Sequence, residues 1–131
     1  MKRIILILAL VTTAASSFAQ KPVKLSTYKN SYGPWNATEE RYMFEDYTYT
    51  SITFSFYSEY ISVNDQCHSV YRITDYLPTT NENGFKTTKC RCLDEQNRKC
   101  LFFLSSSKDR DVESFIQVYY DEFSFFYVID K

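Results

Sequence analysis

Hydrophobic and polar positions alternate with a period of two through much of this chain, most cleanly over residues 51–65. Ile52, Phe54 and Phe56 alternate with Thr53 and Ser55, and after a break at 57–60 the apolar set resumes at Ile61 and Val63. Pairing Phe56 with Ile61 and Phe54 with Val63 makes an antiparallel hairpin with all five apolar side chains on one face. The end of the chain repeats this logic. Asp121 and Glu122 separate two aromatic runs, and setting Tyr120 opposite Phe123 places Ile116, Val118, Phe125, Tyr127 and Ile129 together. The opposite face carries Gln117, Tyr119, Ser124, Phe126 and Val128. It is only partly polar, so it is either covered or exposes an aromatic strip.

Three further strands are expected between the hairpins, over 69–77, 84–93 and 99–106. Pro78, the asparagines at 81 and 83, and Gly84 mark 78–83 as a loop, and the polar run 106–113 reads as another connection. Upstream, 37–50 offers one or two strands. Gly33-Pro34 predicts a turn over 31–36, with Trp35 closing one end of the core. Six or seven short strands joined by tight turns give an all-β fold, a small antiparallel meander. A curved sheet, a sandwich and a small barrel all satisfy the pattern.

No helical periodicity competes after residue 20, and composition agrees: twelve Tyr and eleven Phe in 131 residues suit a pleated, half-buried surface. The start of the chain has a different character. Lys2 and Arg3 precede an apolar run from Ile4 to Val11, and Ser17-Phe18-Ala19 offers a small-x-small cleavage site. That is the plan of a signal peptide, residues 1–19, too short to remain as a membrane anchor, followed by a single exported β-domain, 20–131. The expected location is secreted or periplasmic. Cleavage near Ala19 lowers fifteen basic residues to thirteen against sixteen acidic, near −3. A mildly acidic domain is not what general nucleic-acid binding asks for.

Four cysteines then carry the most specific pattern. Cys90, Cys92 and Cys100 lie within eleven residues, and Cys67 stands beside the lone His68. Asp94 to Asn97 fits a type I turn closed by a left-handed residue at Asn97, which sets Asp94 opposite Arg98 and Cys92 opposite Cys100. Parity then brings Cys90, Cys92, Cys100 and, in the preceding strand, Cys67 to one apolar face. An even cysteine count in an exported chain favours disulfides. The expected pairs are Cys92–Cys100 and Cys67–Cys90, with Cys67–Cys92 and Cys90–Cys100 as the alternative. A zinc site lacks paired C-x₂-C knuckles, with His68 expected on the opposite strand face. A redox centre lacks C-x-x-C. No metal or cofactor is implied.

Catalytic signals are sparse. His68 has no nucleophile signature near it, and the carboxylate pairs Glu39-Glu40, Glu45-Asp46 and Asp121-Glu122 sit in or beside turns, where solvated charge is the default. Two glycines, Gly33 and Gly84, are too few for a phosphate loop. Tyr and Trp are preferred anchors at contacts with partners. Tyr28, Tyr32 and Trp35 are the exposed candidates, with Tyr119 and Phe126 as a second strip. The expectation is a non-enzymatic exported domain binding a protein, a glycan or a small apolar ligand. The alternatives are an assembly subunit using edge-strand pairing and, third, a small secreted hydrolase.

Overall fold

The computed structural model describes residues 21–65 and 68–131. Nine strands follow in chain order: β1 Val23–Asn36, β2 Arg41–Tyr42, β3 Ile52–Phe56, β4 Tyr60–Asn64, β5 Ser69–Glu82, β6 Phe85–Leu93, β7 Lys99–Ser107, β8 Phe115–Tyr119 and β9 Phe123–Ile129. Every pairing is antiparallel, and β1 pairs with β3 through its first half and with β9 through its second. That double pairing closes eight strands into an up-and-down barrel, and β2 adds a short extra strand on the end of β1. Closure gives the barrel strands partners on both sides, except that β5 outruns β4 beyond Ile73 and there pairs with β6 alone.

The two hairpins expected from periodicity form with the expected registers. Phe56 lies opposite Ile61 and Phe54 opposite Val63, while Ile116 lies opposite Tyr127 and Val118 opposite Phe125. Their shared face is the barrel interior. Phe54 and Ile61 are fully buried there, packed with Phe102, Leu104, Ile116, Val118 and Tyr127. The Asp94 turn also holds: the Asp94 N–H donates to the Arg98 carbonyl, the Asn97 N–H to the Asp94 carbonyl, and Asn97 takes a left-handed φ of 62°.

Four expectations need correcting. Residues 31–36 are not a turn, because β1 runs straight through Gly33 and Pro34. Gly33 is required by a close approach instead: a Cβ there would come within 2.7 Å of the Phe44 ring, which lies across it. Trp35 does not plug the core. It stands on the outer wall, 42% exposed. Residues 78–83 are not a loop either, since β5 and β6 form one long hairpin turned by Asn83 and Gly84, both at positive φ as a type I′ turn demands. Pro78 is accommodated by a register shift between Leu77 and Thr80, where a ladder bond is already lost. His68 lies outside β5, at a left-handed φ of 50°, so its side-chain direction does not follow from strand parity.

Residues 41–49 form a strap along the outside of β1. The Met43 and Glu45 N–H groups donate to the carbonyls of Pro34 and Tyr32, and Thr48 pairs with Asn30. Lys29 fastens its far end. The ammonium sits 4.3 Å from the Tyr47 ring centroid and 5.4 Å from that of Tyr28, and 3.9 Å from a Glu113 carboxylate oxygen. Among the described residues no helix is long and apolar enough to cross a membrane, which says nothing about strands.

Candidate functional site

The barrel interior is the first place to seek a binding site, since eight strands can enclose either packed side chains or one small ligand. Here side chains fill it. Among the cavities described, the one set within the core, lined by Phe56, Ile61, Ile73, Cys90, Phe102 and Ile116, has about 20 Å³. That is room for a single water at most, whereas ligand pockets run to several hundred Å³.

One end of the interior holds a polar network built on Asp94. Its Oδ1 accepts the backbone N–H groups of Gln96 and Arg98 at 3.0 and 2.8 Å. Its Oδ2 accepts the Arg98 Nε at 2.8 Å and the Tyr120 hydroxyl at 2.9 Å. Burial opposes the charged carboxylate, but these four donors outweigh it and hold Asp94 below the usual carboxylate range. Arg98 also spreads over the rings of Tyr120 and Phe123, at 5.2 and 5.9 Å. Burial pushes Tyr71 up to about 12 and Tyr120 further, so both hydroxyls stay protonated. The network ties the β6–β7 turn to the β8–β9 turn. It offers no general base, because its one carboxylate is already saturated with donors.

The thiols lie beside this network. Cys90, Cys92 and Cys100 are buried, face inward together as parity required, and Cys92 stands opposite Cys100. Yet all three are free, and among the described residues no cysteine pair is at disulfide distance. The reason is the kind of pair. Asp94 and Arg98 form a hydrogen-bonded pair, so by alternation Cys92 and Cys100 do too. Such pairs hold Cβ atoms about 5.5 Å apart, beyond the roughly 3.5–4.5 Å a disulfide needs. The Cys100 thiol instead donates to the Cys92 carbonyl at 3.8 Å, and the Cys90 and Cys92 sulfurs sit 3.7 Å apart. Cys67, and with it the expected Cys67–Cys90 bond, lies outside the described residues. Burial pushes the Cys100 thiol up to about 12, while the Cys92 thiol is pushed up strongly by its own hydrogen bond with Cys90 and then by burial. Protonated, buried thiols are poor nucleophiles. In the native protein these three should resist a water-borne thiol reagent and react only on unfolding. A Cys92–Cys100 linked peptide in unreduced digests would overturn this assignment.

The carboxylate candidates are scattered over different elements. Glu39 pairs with Arg41 at 3.6 Å on the surface, Glu40 sits at positive φ in the turn before β2, Glu45 and Asp46 are on the strap, and Asp121-Glu122 make the β8–β9 turn. Among the described residues no cluster of His, Cys, Asp and Glu could hold a metal ion.

The aromatic candidates divide. Tyr28 donates its hydroxyl to Glu113 and helps enclose Lys29, so that cage is already occupied. Tyr32 turns inward at the barrel end against Phe123 and Phe125. Its direction follows from a bulge between Thr27 and Lys29, which switches the parity of β1. Trp35, Tyr119 and Phe126, by contrast, share the outer wall. Trp35 touches Tyr42 at 5.0 Å between centroids, Tyr42 touches Tyr119 at 5.6 Å, and Tyr119 touches Phe103 at 4.9 Å. A second row runs Phe44, Phe126, Phe115, Phe85, at 5.8, 4.8 and 5.6 Å. Tyr42 and Phe44, which join the rows, were not singled out from sequence. Their alternation in Tyr42-Met43-Phe44 was the available signal.

Beside the first row lies an open cleft of about 470 Å³, crossing the outside of β5 to β8, with Tyr42, Asp75, Arg91, Lys99, Tyr119 and Asp121 among its walls. A donated hydrogen bond from the Tyr42 hydroxyl to the Tyr120 carbonyl fixes one wall. Family models, curated proteins and solved structures were all compared with this chain, and none matches.

Proposed function

We propose that the protein is an exported, non-enzymatic domain that binds its partner on the outer wall of the barrel. The observation that carries this reading is the filled interior, whose 20 Å³ cavity leaves no room for even a small apolar ligand. The aromatic rows outside supply what the inside does not: Trp35 and Phe44 are each more than 40% exposed, and Tyr42 and Tyr119 are half-buried beside them. Large rings held by a rigid sheet lose little entropy on binding, which favours them as anchors. Export rests on the signal-peptide pattern of residues 1–19, which lie outside the described residues.

The pattern of the walls also bears on membranes. A membrane-spanning barrel is apolar outside and polar within. This barrel has the reverse inside, and β3 to β5 carry Thr53, Ser55, Ser62 and Arg72 outward. The assembly reading has less support. Edge pairing would have to start from the two-residue β2 or from the outer edge of β5 beyond Ile73, which is largely polar and interrupted by Pro78.

The test is saturable binding by the mature chain in a glycan array and in pull-downs from its native surroundings, with the contact mapped by amide chemical shifts. Shifts confined to the strap and to outward positions of β1 and of β5 to β9 are expected. A partner that shifts the core around Phe54 and Phe102 instead would sink the proposal.

A further inference from the structure

We propose that the outer cleft beside Tyr42 and Tyr119 binds a neutral, unbranched polysaccharide. The inference rests on the outer-wall reading and adds the chemistry of the occupant. A pyranose ring has two kinds of surface, a flat face of C–H groups and a rim of hydroxyls. The face stacks on an aromatic ring, and the rim needs donors and acceptors in one plane with it.

The cleft offers both. Tyr119 and Tyr42 stand 5.6 Å apart and tilted by 50°, and Trp35 and Phe103 extend the row at either side. Asp75 and Asp121 supply acceptors, while Arg91 and Lys99 supply donors. Asp75 and Arg91 are both more than half exposed and lie 3.9 Å apart, a loose pair with spare hydrogen-bonding capacity on each partner. A carboxylate beside a guanidinium matches a pair of neighbouring hydroxyls, each of which both donates and accepts.

Charge selects among polymers. Two carboxylates against two cations leave no net charge in the cleft, so a polyanion gains no net steering and nucleic acid finds no phosphate track. The walls are pre-organised, since the cleft floor is paired sheet and the Tyr42 hydroxyl is tied to the Tyr120 carbonyl. The cleft is open rather than enclosed, so a chain can lie across it without a free end.

Trp35, the single tryptophan, touches Tyr42 and therefore reports on this surface. The experiment is affinity electrophoresis of the mature protein through gels carrying a linear β-glucan, a xylan, a mannan or polygalacturonate, with Trp35 fluorescence titrations of each. Retardation by at least one neutral polymer is expected, with a saturable change in Trp35 emission. Tyr119→Ala should weaken it by about tenfold or more, with an unchanged far-ultraviolet spectrum. If that variant fails to fold, Arg91→Ala with Asp75→Ala, both on the exposed rim, should weaken binding severalfold.

Retardation by none of the neutral polymers overturns the proposal. So does a preference for polygalacturonate, or binding untouched by the folded variants. A protein partner captured on the outer wall without polysaccharide binding would overturn this inference and leave the outer-wall reading standing. Uptake of an apolar molecule into the interior would overturn the outer-wall reading itself.

Discussion

Asp94→Ala should cost about 3 kcal/mol of stability, since it strips four donors of their acceptor at once and leaves the Tyr120 hydroxyl buried without one. Chemical denaturation should show the loss as a lower midpoint with an unchanged slope. Asp94→Asn, which keeps one carboxamide oxygen as acceptor, should lose roughly half as much. The pH dependence has a definite sign. Asp94 titrates below the usual carboxylate range in the folded protein, so its charge stabilises the fold above the unfolded-state value of about 3.9. That contribution fades as pH falls through the folded value. The stability gap between the native protein and Asp94→Asn should therefore be constant near neutrality and close below about pH 4. A gap that widens with acid would mean that Asp94 is not the charged centre of the network.

Phe54→Ala should be comparably severe, at about 3–5 kcal/mol. Phe54 has no exposed surface, and its ring meets Tyr127 at 4.8 Å edge-on, Phe56 at 6.2 Å and Phe102 at 6.4 Å. Truncation leaves a void that surrounding strands cannot close, because each is held on both sides by its neighbours. The contrast is Tyr49→Ala, on the exposed strap, where truncation removes only a distant face of the Lys29 cage, 6.0 Å away. A small cost for Phe54→Ala would mean a looser interior than the one described.

How much of this was legible in the sequence depended on what defines each strand. Strands β3 and β4 carry a clean alternation because one face is core and the other polar, and the Asp121-Glu122 turn set the register of β8 and β9 although their outer face is partly aromatic. The Asp94 turn was equally readable, since its residues report their own backbone requirements. Strand β1 was not. Its polar residues, its bulge at Thr27 and its Gly33-Pro34 pair erase the alternation, and backbone pairing with β3, β9 and the strap specifies it instead. Closure followed from that missing strand, so the sequence left a small barrel level with a curved sheet and a sandwich. The disulfide reading failed at finer detail. Parity placed Cys92 opposite Cys100, but parity does not reveal which opposed pairs are hydrogen-bonded, and that decides the Cβ spacing. For the outer wall, Trp35, Tyr119 and Phe126 were visible as aromatic residues. Their assembly into rows needed Tyr42 and Phe44, which arrive from a strap with only two residues of regular strand.

Everything proposed for function depends on the barrel having no interior site. The direct measurement is uptake of xenon and of benzene, followed by core methyl and aromatic shifts in the native protein and in Phe54→Ala. A filled interior predicts no saturable shift in the native protein and binding at the new void in the folded fraction of Phe54→Ala. Saturable uptake by the native protein, centred on Phe54, Ile61 and Phe102, would contradict the account and return the search for a partner to the inside of the barrel.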